Sequence, residues 1–120
     1  MDFGKYNFVY NAEAHFKGID KYPEGVMEAT QQPGTAGFNA LCWLMAEMSV
    51  QGELIRRDMG YDPGEVLTEK QLKTHLKITE LGEVRKIVLE TMVRGLRGEE
   101  KEDEVIDEVL AEIEKKTGND

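Results

Sequence analysis

Two histidines, one cysteine and a surplus of carboxylates are the side chains through which this sequence could do chemistry. His15 and His75 lie far apart, and neither has a second ligand at helical spacing. A zinc site is built from sets such as His-x-x-x-His or Cys-x-x-Cys, and none occurs. Cys42 sits amid Leu41, Trp43 and Leu44. A nucleophilic thiol needs a base and an electropositive pocket, and an apolar helix face offers neither. Carboxylates are abundant, but a general acid needs an apolar pocket to raise its pKa, and these pairs read as a solvated helix surface. No Gly-rich phosphate loop follows a strand and no Gly-x-Ser-x-Gly is present. Arg56-Arg57 could grip a phosphate, although the end of a helix accounts for them with less. Tyr6, Phe8 and Tyr10 could stack bases, yet no Lys/Arg track accompanies them. The residues therefore name no catalytic group, no metal and no cofactor, and point to a binding or assembly protein rather than an enzyme.

The totals agree with that class. A chain of 120 residues, 40% apolar and 32% charged, suits one soluble domain with a single core. Its longest apolar stretch, Ala40–Ala46, is far shorter than the roughly 20 residues of a spanning helix. No basic region followed by an apolar run marks a leader. One unpaired cysteine suits a reducing cytoplasm, and the expectation is a cytoplasmic protein with no membrane partner. The net charge of −9 argues against nucleic acid as a ligand. Most of the excess lies late in the chain, where Glu99 to Glu114 holds nine acidic residues and one basic, Lys101. Solubility, a basic partner, or mimicry of nucleic acid would each use such a run.

The elements that would position these residues can be read from periodicity. Tyr6, Phe8 and Tyr10 alternate as in a half-buried strand, and Gly4-Lys5 ahead of them suits a type II′ turn, which predicts an N-terminal β-hairpin. Asn11 caps a helix over Ala12–Lys21, with Phe16 and Ile19 facing inward. Pro23 ends it and opens a short helix over Glu24–Gln31, until Gln32-Pro33-Gly34 breaks the chain. The strongest helix runs from about Ala36 to Met59, capped by Thr35. Phe38, Leu41, Leu44, Met45 and Met48 recur along it at three- and four-residue steps, so Phe38, Trp43 and Leu44 are expected among the most buried residues. Gly52 would loosen this helix midway and Gly60 would end it. Thr68-Glu69-Lys70-Gln71 has the capping-box form for a short helix through Leu76, and a further helix follows over Thr79–Arg97. The fold class is mainly α, a helical bundle with a small N-terminal β-hairpin.

Residues 1–98 form this hairpin and helical domain. Residues 99–120 form a separate acidic amphipathic segment, joined through a hinge at Gly98–Glu102. Val105, Ile106, Val109, Leu110 and Ile113 make one apolar stripe among carboxylates, too late in the chain to nucleate the fold. A helix of about 15 residues is marginal alone in water, so the stripe needs cover from its own domain, a second copy or a client. These five residues are the candidate partner-binding element.

With these elements placed, the chain resembles the tail assembly chaperones of long-tailed phages and prophages. The resemblance rests on Phe3-Gly4-Lys5-Tyr6-Asn7-Phe8, on the long helix ending Gln51-Gly52-Glu53-Leu54-Ile55-Arg56-Arg57-Asp58-Met59-Gly60-Tyr61, and on the order that follows: a capped short helix, a long helix, an acidic tail. It covers most of residues 1–98 and its motifs are structural. It implies a helical protein that coats the tape-measure protein, keeps it soluble and helps recruit tail-tube subunits, with a homo-oligomer as a further expected partner state. Many such families add a frameshifted C-terminal extension, and Glu114-Lys115-Lys116 permits the A-rich slippery run this requires. An acidic inhibitor that mimics nucleic acid and an unrelated helical adaptor are the alternatives.

Overall fold

The computed structural model describes residues 1–97, which are mainly helical. Five α-helices occur among them: α1 (Ala12–Lys21), α2 (Val26–Thr30), α3 (Gly34–Asp58), α4 (Glu69–His75) and α5 (Leu81–Arg97). Short 3-10 turns at Phe3–Lys5 and Ile78–Glu80 complete the described elements.

α3 is the axis, and each of the other four helices packs against it. Its wide apolar belt supplies Leu41, Leu44, Met45 and Met48 to the core, where they meet Leu72 of α4 and Val84, Val88 and Met92 of α5. Burial of these side chains is the main stabilising term, at about 25 cal/mol per Å² of apolar surface. No described helix is long and apolar enough to cross a membrane.

Several boundaries follow the local chemistry read from the sequence. Asn11 accepts the Ala14 N–H at 3.0 Å and starts α1. Thr68 and Gln71 exchange both hydrogen bonds of the capping box that starts α4, at 3.1 and 2.9 Å. Gly60, at φ +93°, follows the last turn of α3 in the left-handed conformation.

The N-terminal hairpin is absent from the described residues. Asp2 caps the 3-10 turn over Phe3–Lys5, which uses up the residues assigned to a first strand, and Gly4 does not have the positive φ of a type II′ turn. Tyr6 to Asn11 is a single extended run laid on α3 instead. Val9 N–H donates to the Met48 carbonyl at 3.1 Å, Asn7 Nδ2 donates to the Gly52 carbonyl at 3.0 Å, and Asn11 Nδ2 donates to Gln51 Oε1 at 3.0 Å. The alternation of Tyr6, Phe8 and Tyr10 is genuine, because one side of the extended run packs on the core. Its hydrogen-bond partner is a helix, not a strand. Gly52 and Gly95 make the seat. A Cβ on Gly52 would collide with the Asn7 carbonyl, and one on Gly95 with the Tyr10 carbonyl. α3 stays continuous through Gly52, so that glycine admits the neighbouring backbone rather than loosening the helix.

Other expectations also need correction. α3 starts at Gly34 after Pro33, with no side-chain cap, and Thr35 lies inside the helix. α2 is shorter than expected, and Gly25 at φ +110° precedes it, with Pro23 left in the turn. Phe16 and Ile19 point outward and are exposed. Leu44 is fully buried, whereas Phe38 and Trp43 are only half-buried, because α3 turns that flank of its belt toward the rim. Trp43 packs edge-on against Tyr22, with ring centroids 5.8 Å apart, and lies beneath Lys21.

Candidate protein-interaction surface

The side chains singled out for chemistry are dispersed. The His15 ring, at the flank of α1, shares a 2.8 Å hydrogen bond with the Tyr10 hydroxyl through Nδ1, and His75 is exposed at the end of α4. Cys42 is buried inside α3, and that burial pushes its thiol pKa up, away from the reactive thiolate. Among the described residues no group of three His, Cys, Asp or Glu side chains converges to hold a metal. Tyr6 and Phe8 lie 6.2 Å apart at a tilt, and Tyr10 is buried, so these three rings do not form an open stacking platform.

Arg56 and Arg57 serve Glu53. This carboxylate is buried in the last turns of α3; Arg56 Nη1 donates to Oε1 at 2.7 Å and Arg57 Nε to Oε2 at 2.8 Å, while the Gly64 N–H also donates to Oε2. The Gly64 hydrogen bond, followed by that of Arg57, holds its pKa down at about 2. Glu53 thereby ties the loop after α3 back to the helix. Ser49 fastens the same loop one turn earlier, accepting the Leu67 N–H at 2.8 Å and donating to the Leu67 carbonyl at 3.1 Å. Sequence reasoning missed both residues, since a Ser or Glu within an apolar belt carries no mark of a partner 11 or 18 residues away.

Apolar concavities open on the surface of the described residues. One lies at the corner where α3 begins and α4 leads into α5, a hollow of about 530 Å³ bounded by Thr35, Phe38, Leu76, Ile78 and Leu81. Ile78 is 87% exposed at its lip, although β-branched aliphatic residues are usually buried. The second is a trough between α2 and α5 of about 270 Å³, with Met27, Leu41, Val88 and Leu89 along its floor. Met27 also borders a smaller hollow of about 180 Å³ reaching Ile19, Met92 and Leu96. By contrast, the cleft near Lys5, Arg56 and Tyr61 is polar and internally matched, with Lys5 3.2 Å from Glu65 and Arg56 engaged by Glu53.

The chain matches no family model, no curated protein and no solved structure. The candidate partner-binding stripe, Val105, Ile106, Val109, Leu110 and Ile113, lies outside the described residues, as does the segment 99–120 to which it belongs.

Proposed function

We propose that this protein is a tail assembly chaperone of a long-tailed phage or prophage, binding the tape-measure protein and helping to recruit tail-tube subunits. The observation that carries this reading is the open apolar hollow around Ile78 in a small helical bundle. A long helical client presents apolar residues at three- and four-residue steps, and such a face lies naturally in a groove of this kind. The net charge of −9 keeps a complex with an apolar client in solution.

Mimicry of nucleic acid has less support. Residues 1–97 carry fourteen acidic and twelve basic side chains. Several of the carboxylates are matched by cations, as in Glu53 with Arg56 and Arg57 and Glu47 with Lys17. A phosphate-like row needs carboxylates clustered without such partners.

Gene order offers the first check: this reading expects a tube gene upstream and a very long tape-measure gene downstream. The biochemical test is co-expression with the product of that long gene. A soluble complex that co-elutes on size exclusion supports the reading. A client that stays insoluble and never co-elutes contradicts it.

A further inference from the structure

α1 buries its smallest residues and shows its largest apolar ones. Ala14 and Gly18 face inward, and a Cβ on Gly18 would already touch Val26. Ala12, Phe16 and Ile19 recur at four- and three-residue steps on the opposite side of the helix, and all three are exposed, Phe16 at 63%. The outer side of a helix that needs no cover carries polar side chains instead. Leu96, near the end of α5, is 59% exposed and shares the hollow of about 180 Å³ with Ile19 and His15. The His15 ring in turn meets the Phe16 ring edge-on, with centroids 5.3 Å apart. Phe16, Ile19 and Leu96 therefore belong to one surface, a projecting ring beside an apolar hollow.

The ring and the hollow match. A cavity of about 150 Å³ holds benzene, so the hollow has room for a phenylalanine ring. A two-fold axis lying between Phe16 and the hollow carries the ring of each copy into the hollow of the other, which is the self-complementarity of an isologous pair. Charge follows the same layout. At 100° per residue, Glu13 and Asp20 flank Phe16 on the side away from His15, whereas Arg97 stands beside Leu96 in the last turn of α5. Glu13 is already engaged by Lys17 at 3.6 Å, so Asp20 is the acid placed to meet Arg97 of a second copy. Only another copy is bound to supply both a ring for this hollow and a hollow for this ring. Three partly exposed side chains offer roughly 300 Å² per copy, well under the ~800 Å² per partner of a stable interface. The pair is accordingly weak and reversible.

We propose that the face formed by Phe16, Ile19 and Leu96 joins two copies of this chain in a weak two-fold dimer. Phe16 of each copy sits in the hollow between Ile19 and Leu96 of the other, and Asp20 opposes Arg97 across the interface. This hollow shares no lining residue with the one around Ile78. The assignment therefore requires no client and is independent of the chaperone reading.

Sedimentation equilibrium of the full chain over a range of concentrations tests it. The wild type should pass from monomer to dimer with a Kd of roughly 10 μM to 1 mM. Phe16→Asp should weaken the dimer about tenfold or more, with the thermal unfolding transition preserved because the ring lies outside the core. Asp20→Arg alone should also weaken it, and adding Arg97→Asp should restore it. Both charge effects run against net charge, since Asp20→Arg reduces the overall repulsion between copies of charge −9 and Arg97→Asp increases it. A chain that stays monomeric up to about 1 mM would overturn the proposal. So would a dimer indifferent to Phe16→Asp or to Asp20→Arg, or an Asp20→Arg loss that Arg97→Asp does not rescue.

Discussion

Glu53 is a single carboxylate on which a loop depends, and its ionisation sets an acid limb for stability. In the folded protein its pKa lies at about 2, held down first by the Gly64 N–H and then by Arg57, whereas 4.5 is the ordinary value for a glutamate. As pH falls the unfolded chain therefore takes up this proton first. The stabilisation from Glu53 is complete above about 4.5 and is lost as pH drops from there toward about 2. Thermal unfolding followed by circular dichroism from pH 7 to pH 2 should show this loss. Glu53→Gln should lower the melting temperature at pH 7 and flatten the acid limb. Ser49 makes a comparable prediction without charge. Ser49→Ala leaves the buried Leu67 N–H without its partner, and denaturant unfolding should register a loss of about 1–3 kcal/mol. Trp43 falls on the other side of expectation. A large aromatic in a packed core costs about 3–5 kcal/mol to truncate. Trp43 is half-buried, with Tyr22 and Lys21 as its neighbours, and Trp43→Ala should cost less, about 1–3 kcal/mol.

At the scale of elements, the extended run Tyr6 to Asn11 is held by hydrogen bonds to α3 and by two close backbone approaches, at Gly52 and Gly95. Gly52→Ala drives a methyl into the Asn7 carbonyl and should destabilise the protein by about 1–3 kcal/mol, as overpacking does. That sign is opposite to the gain Ala gives over Gly inside an exposed helix, so equilibrium unfolding of this one variant separates the two accounts of Gly52. Elements whose signals are local were legible in the sequence: the Asn11 cap, the Thr68–Gln71 capping box, and the three- and four-residue apolar spacing of α3 and α5. The partner of the Tyr6 to Tyr10 run was not, because alternation reports that a run is extended and one-sided and says nothing of what it pairs with. The same limit hid the direction of Phe16 and Ile19. Their helix was placed correctly, but the face it buries is set by how closely Gly18 and Ala14 allow α1 to approach its neighbours. Of the surface features, the Ile78 hollow was also hidden, since it forms from two segments about 40 residues apart in sequence.

For the whole molecule, residues 1–97 already contain a core in which Leu41, Leu44, Met45, Met48, Leu67, Leu72 and Val84 are fully buried. Deleting residues 99–120 should therefore leave cooperative unfolding intact by circular dichroism. It should also change self-association, read by light scattering, or binding of the client. Loss of cooperative unfolding on deletion would place the C-terminal segment in the core. The proposed chaperone role seats a helical client at the hollow around Ile78. Because Ile78 is 87% exposed, Ile78→Asp can be made with little effect on folding, and surface substitutions of this kind stay within about 0.5 kcal/mol. The most direct measurement is the fraction of tape-measure protein that remains soluble when co-expressed with the wild-type chain or with Ile78→Asp at equal chaperone levels. The client should stay soluble with the wild type and be lost to the pellet with the variant. Equal solubility with both, or an insoluble client with both, would contradict that role.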